Sequence, residues 1–254
     1  MNEKLRILST VSIYHALTDG SICVISILFP IFKSMFDLSY TQVGIITGGG
    51  LLITLIAQLI IGRMADGKNF NMLLSTGVLL TSLSLLLLTR SQGFAMLILF
   101  IFVLRFSTSF FHPIGVGWVS RIYKKERLDW AMGIQSGSAD LGSFIAIATT
   151  LYIAESSHWT IPLYIWAIFG IIGLFFALGI TQNIDQAYMS VKKLSKKQSL
   201  KENAQEAFHV MKKIKLLLPA FMISGASWGI VITYLPLLLN EKTALSLPII
   251  LWCK

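Results

Sequence analysis

Seven apolar runs, each long enough to cross the ~30 Å hydrocarbon core of a bilayer, constrain this chain more than any other feature. Backbone placed in lipid must satisfy its own hydrogen bonds, which leaves little beyond the helix for spans of this length. The runs are Ile7 to Phe32, Val43 to Ile61, Phe70 to Thr89, Phe94 to Ser120, Trp130 to Ala154, Trp159 to Thr181 and Leu216 to Asn240. A composition of 55% hydrophobic and 13% charged residues, with mean hydropathy +0.73, is too apolar for a soluble domain of 254 residues. Lys4 and Arg6 precede the first run, but His15 and Asp19 interrupt it and no small-residue cleavage site follows. It therefore reads as a span and not as a signal peptide. The expectation is an all-α integral membrane protein.

A net charge of +9 and a pI near 9.6 invite a nucleic-acid reading, which the distribution of charge removes. Of the 21 Lys and Arg, Lys33, Arg90 and Lys242 fall on one side of the spans, Arg105 inside and Lys254 at the end; the other sixteen fall on the N-terminal side. This is the positive-inside bias, and it sets the N-terminus in the cytoplasm of a multi-pass protein of the inner or plasma membrane. No nucleic acid is expected as a partner. The two cysteines, Cys23 in the first span and Cys253 at the end, suggest neither a disulfide framework nor a metal site, and no cofactor is expected.

The run Arg105-Phe-Ser-Thr-Ser-Phe-Phe-His112-Pro113 places a guanidinium, an imidazole and a proline inside the fourth span. A charge near the bilayer centre costs at least ~2.5 kcal/mol on insertion scales, so it normally faces a polar interior and has a partner. Counting ~1.5 Å per residue from the span ends brings Asp19, Arg105 and Asp140 to one depth near the midplane. Two carboxylates bracketing one guanidinium leave one net negative charge, or none when one carboxyl is protonated, as a proton-linked site requires. The alternative is a static ion-pair network holding three helices together. His15 lies one turn before Asp19 on the same face and His112 two turns beyond Arg105; either acts in the site or bonds neighbouring backbone. Pro113 removes a helical hydrogen bond and is expected to kink its span.

Short internal echoes recur in the chain. Phe29-Pro30-Ile31 and His112-Pro113-Ile114 are offset by 83, Gly44-Ile-Ile-Thr-Gly48 and Gly133-Ile-Gln-Ser-Gly137 by 89, and Asp19 and Arg105 by 86. Three spans separate each pair, so the second triplet enters the membrane from the opposite side, the inverted repeat of secondary transporters, whose sites lie at the midplane between repeats. The two small-xxx-small segments suit close helix packing. The third and sixth spans carry no charge and read as lipid-facing supports. The loop Gly62-Arg63-Met64-Ala65-Asp66-Gly67-Lys68-Asn69 reads as a tight connection whose Asp66 can cap the next helix.

That loop resembles the signature Gly-x-Leu-Ala-Asp-x-x-Gly-Arg of the major facilitator superfamily, with Met64 in the leucine position and Lys68 and Asn69 in place of the later basic cluster. Within the superfamily, YHALTDG at Tyr14, FPIFKSMFDLSYTQVGIIT at Phe29, GRMAD at Gly62 and TSFFHP at Thr108 resemble the fosmidomycin resistance protein group over most of residues 8–150. The resemblance implies twelve spans in two six-helix halves and export of drugs or other small molecules in exchange for protons. It also implies that His15, Asp19, Arg105 and His112 face the substrate path, with Gly62, Arg63, Asp66 and Pro113 governing conformational change. The fifth span has Gly137-Ser138 where antiporters often carry Gly-Pro.

The domain reading follows: 1–181 a six-helix domain of 3+3 inverted repeats, 182–215 a basic linker, partly helical, and 216–254 a seventh helix opening a second half. The linker carries eight lysines against Asp185, Glu202 and Glu206, with a capping box at Ser199 and Glu202, and suits contact with an anionic membrane surface. Thr233-Tyr-Leu-Pro236-Leu echoes Ile27-Leu-Phe-Pro30-Ile at an offset of 206, which sets an eighth span near Pro248, and a chain of 254 residues is then expected to be truncated from twelve spans. The leading function is a secondary active, proton-coupled exporter of a small molecule, with Asp19 as proton carrier and Arg105 as its charge partner. Proton-coupled uptake of an organic anion held by Arg105 is the alternative; a third reading is a fragment or half-transporter that needs a second copy or a separate second half. An intramembrane aspartyl protease using Asp19 and Asp140 lacks its Gly-x-Gly-Asp context, and no His-Glu-x-x-His occurs, so no enzyme is expected.

Overall fold

A computed structural model describes residues 2–190, 205, 208, 209 and 211–243. Among them every regular element is helical: α1 (Glu3–Met35), α2 (Tyr40–Met64), α3 (Phe70–Leu88), α4 (Phe94–Thr108), a π turn (His112–Val116), α5 (Gly117–Ile122), α6 (Lys125–Ser156), α7 (Thr160–Thr181), the short α8 (Gln186–Met189) and α9 (Leu218–Thr243). With α4, the π turn and α5 counted as one span, seven are long and apolar enough to cross a membrane, one for each apolar run.

Polar side chains set where the helices begin. Asn2 accepts from the Leu5 amide at 2.9 Å, and Ser39 with Gln42 closes a reciprocal capping box at the start of α2. The cap of α3 corrects the sequence reading. Asn69, not Asp66, accepts from the Met72 amide, at 3.0 Å, because α3 starts at Phe70 and Asp66 sits three residues too early, exposed in the turn. Gly67 in that turn has φ 75°, a left-handed conformation that a side chain would strain.

Pro113 has no amide hydrogen to give to the carbonyl one turn back, so the α ladder of the fourth span ends at Thr108 and resumes at Gly117 through the π turn. Hydroxyls satisfy the exposed backbone there: Ser109, Thr108 and Thr54 all donate to the Arg105 carbonyl, at 2.6, 3.1 and 3.4 Å. Pro30, the counterpart of Pro113 in the echo, lies within the unbroken helix α1.

The main packings are α1 on α6, α3 on α7, α3 on α4, α1 on α7 and α2 on α4. Exchanging the first three spans for the next three turns α1–α6 into α4–α2 and α3–α4 into α7–α1, and leaves α3–α7 unchanged, so the set of packings maps onto itself. The closest approach is α6 on α1, where Gly142 faces the Ala16 backbone, with Gly20 beneath Trp166 beside it. The small-xxx-small segments do not make this crossing: Gly48, Gly133 and Gly137 have open space at their Cβ positions, because the crossing is set by the face carrying Gly142. The third span also differs from its reading as a lipid-facing support. It packs on α1, α4 and α7 with Thr81, Ser82 and Ser84 buried, and only one face, with Met72, Leu79 and Leu83, is exposed.

Two apolar clusters fill the bundle. One, nearer the N-terminal end, includes Tyr14, Phe111 and Trp118; the other includes Val24, Phe29, Phe32 and Trp166. The stretch after α7 is fixed to the bundle in its first residues: Trp118 Nε1 donates to the Tyr188 carbonyl at 2.7 Å, Arg6 donates to the Ile180 and Gln182 carbonyls, and Ile184 and Met189 are buried. The capping box at Ser199 and Glu202 and the eighth span expected near Pro248 lie outside the described residues. Helix α9 rests on α1 with an ion pair of Lys33 and Glu241 at 3.0 Å, and it meets the start of α2 where Tyr234 stacks on Tyr40, 6.4 Å between ring centres.

Candidate functional site

Helix α1 presents Asp19, Ile22 and Cys23 on one face. Opposite stand Arg105 from α4, His112 from the π turn and Asp140 with Ser143 from α6; Ile232 of α9 lies across the opening. These eight residues line one cavity of about 280 Å³. The structure thus brings Asp19, Arg105, His112 and Asp140 to one cavity between the two apolar clusters. His112 and Asp140 are exposed on its open side, while Asp19 is half-buried. A larger cavity of about 570 Å³, between Lys4, Lys124, Arg127, Tyr123 and Trp130, holds none of the candidate residues.

The pairing within the cavity differs from the one the sequence suggested. Among the described residues no ion pair joins Arg105 to Asp19 or to Asp140; Asp19 Oδ2 instead lies 3.4 Å from His15 Nε2. The reason is local. His15 and Asp19 are one turn apart on one helix, so their contact needs no tertiary alignment, whereas the Arg105 stem is laid over Gly50 of α2. A Cβ at position 50 would stand 3.0 Å from Arg105 Cγ, so this glycine seats the arginine.

His15 is the most constrained of the group. Its ring is 5% exposed, stacks on Phe111 with centres 4.0 Å apart at 19°, and meets His112 edge-on at 5.4 Å. Nδ1 is 3.0 Å from the Gln135 carbonyl oxygen, which can only accept, so Nδ1 carries the hydrogen. In the neutral ring Nε2 is then the lone-pair nitrogen; it is buried, without a hydrogen bond, and turned toward Asp19. One ligand atom each from His15, Asp19 and His112 lie within 4.8 Å of one another. The sequence reading expected no metal site; the fold brings these three together from α1 and the π turn. Cys23 and Ser143 were also missed, although each follows a candidate, Asp19 or Asp140, at helical spacing.

Of the conformational candidates, Gly62 and Pro113 meet: the end of α2 packs on the π turn with Gly62 facing Pro113 Cβ. Arg63 and Asp66 are exposed, and neither forms an ion pair among the described residues.

A helical bundle whose main packings survive exchange of its two triplets, with charged groups in a cavity between them, has the form of one half of a secondary transporter. The Major Facilitator Superfamily matches residues 11–252, and the chain belongs to that family. It is 28% identical over 109 residues to the uncharacterised MFS-type transporter YfnC of Bacillus subtilis (strain 168), a region that is 43% of this chain and 27% of that protein. Among solved structures it is similar to a bacterial homologue of the human lysosomal transporter Spinster in an inward-facing, unoccupied conformation, with TM-score 0.73 and 18% identity over 97% of this chain and 57% of that one. A POT family transporter in complex with 5-aminolevulinic acid gives TM-score 0.64 at 12% identity, over 87% of this chain and 47% of the other. The chain therefore spans about half the length of these structures, and a smaller share of YfnC. It is a multi-pass membrane protein of a transporter family.

Proposed function

We propose that the chain supplies the N-terminal six-helix half and seventh helix of a proton-coupled secondary transporter that exports a small molecule, with the N-terminus cytoplasmic. The observation that carries this is the single cavity lined by Asp19, Arg105, His112 and Asp140. Polar groups of both charges in a cavity between apolar clusters suit a solute with its own charges, since each group would otherwise stand in a medium where ions are costly. Asp19 and Asp140 both line the cavity, and Asp140 is the one exposed on its open side, so its carboxyl is the one placed to exchange protons there. The Tyr14-to-Gly20 and Thr108-to-Pro113 segments further support the fosmidomycin resistance protein group as the subfamily. Because His112 and Asp140 are exposed on the open side, transport needs further helices over that side.

Inside-out vesicles from cells expressing the chain provide the test. Addition of a transported compound should dissipate an imposed proton gradient, and Asp140→Asn should abolish uphill transport while sparing substrate exchange at equal concentrations. Unaltered uphill transport in Asp140→Asn would remove the assignment. A second reading, uptake of an organic anion, is favoured by one specific observation: Arg105 lines the cavity with no ion pair among the described residues, leaving its guanidinium for a carboxylate or phosphate of the solute. Accumulation, not extrusion, of an anionic compound down the proton gradient distinguishes the two.

A further inference from the structure

We propose that His15 Nε2, Asp19 Oδ2 and a ring nitrogen of His112 form a binding site for a divalent first-row transition ion of the zinc type. The proposal goes beyond the transport reading and does not rest on it. Four features meet at this point. The three ligand atoms already lie within 4.8 Å of one another. The 3.4 Å between His15 Nε2 and Asp19 Oδ2 is the separation of two ligands that each stand ~2.1 Å from a tetrahedral ion. His15 Nδ1 donates to the Gln135 carbonyl, the outer contact that fixes the tautomer of metal-binding histidines and leaves Nε2 free to ligate. Nε2 is a buried acceptor that makes no hydrogen bond, on a residue only 5% exposed, and it lies within 4.8 Å of the other two ligand atoms.

The chain builds this set deliberately in geometric terms. Helical spacing of four residues brings His15 and Asp19 together, Phe111 stacked on His15 prevents the ring from turning, and the π turn after Phe111 aims His112 at the pair. Two imidazoles and one carboxylate suit zinc, cobalt or nickel and disfavour magnesium and calcium, which need more oxygen ligands. Three protein ligands leave a fourth position for water, on the side where His112 opens to the cavity. Asp140 and Arg105 stand on the rest of the wall, the first attracting a cation and the second opposing it.

The experiment takes the full chain, purified with a tag free of histidine and stripped of metal by dialysis, and titrates it with Co²⁺ and then Zn²⁺. The expected result is one bound equivalent of Co²⁺ with the strong visible absorption of a four-coordinate nitrogen and oxygen site, bleached by Zn²⁺ and unaffected by Mg²⁺. His15→Gln, Asp19→Asn and His112→Gln should each weaken binding by more than about tenfold, and His158→Gln, at an exposed histidine remote in sequence from the set, should not. An unaltered chain that binds no Co²⁺, or that gives only the weak absorption of a six-coordinate surface complex, overturns the proposal, whether or not the variants fold. Binding retained in His15→Gln or His112→Gln, or lost in His158→Gln, overturns it equally.

Discussion

Replacing Gly142 by alanine places a methyl group at the closest approach of α6 to α1. Its carbon would stand 2.4 Å from the Ala16 carbonyl oxygen and 2.7 Å from the Ala16 Cα, against an ordinary contact of 3.4 Å or more. These are backbone atoms, which no rotamer change can move, so the two helices must separate by about 1 Å, the difference between 3.4 and 2.4. Overpacking of this kind costs about 1–3 kcal/mol. The same displacement lengthens the His15 Nδ1 to Gln135 carbonyl contact from 3.0 Å to nearly 4 Å, beyond hydrogen-bond range, and removes a further ~1 kcal/mol. Alanine's better helix propensity returns about 1 kcal/mol, leaving a net loss of about 1–3 kcal/mol. Gly137 on the same helix has nothing within 4 Å of its Cβ position, so Gly137→Ala should gain about 1 kcal/mol from propensity alone. The assay is unfolding of both variants in one detergent, where Gly142→Ala should lower and Gly137→Ala should raise the midpoint. Equal shifts of the same sign would refute the crossing geometry.

Two further outcomes follow from contacts at the helix ends. Asn69→Ala removes the cap on the Met72 amide and should destabilise by about 1 kcal/mol, whereas Asp66→Ala should change the unfolding midpoint little; equal effects would contradict the assignment of the cap. Trp118→Phe leaves the Tyr188 carbonyl without its donor and should cost about 1–3 kcal/mol, with faster proteolysis after α8 as the local readout.

The spans were legible because hydropathy over some twenty residues is a property of the run itself and needs no partner. Depth was legible as well: a fixed rise per residue carried Asp19, Arg105 and Asp140 to one level, and they line one cavity. Rotation about each helix axis was not. Whether Arg105 turns to Asp19 or lies over Gly50 depends on where α2 stands, and the linear sequence does not encode that separately from the packing. The i,i+4 alternative, His15 with Asp19, was visible as a shared face, but its preference over a longer-range charge pair follows only once the arginine is seated elsewhere. The glycine segments misled for the same reason: Gly133 and Gly137 have the spacing of a packing motif and lie on a face that meets nothing, while the single Gly142 sits at the contact. The cap was misassigned although the span was read to start at Phe70: the residue immediately before it is Asn69, and Asp66 lies three residues further back in the turn around Gly67.

The two triplets share their packing but not their stiffness. Helix α1 runs through Pro30 without a break, while its counterpart gives way from Ser109 to Val116. Bending therefore falls on the second triplet alone, and the compliant stretch carries His112 while His15 and Asp19 stay on an unbroken helix. A tilt of the fourth span would alter the distance between one imidazole and the other two groups, so any occupant of that corner would gauge how far the span had bent.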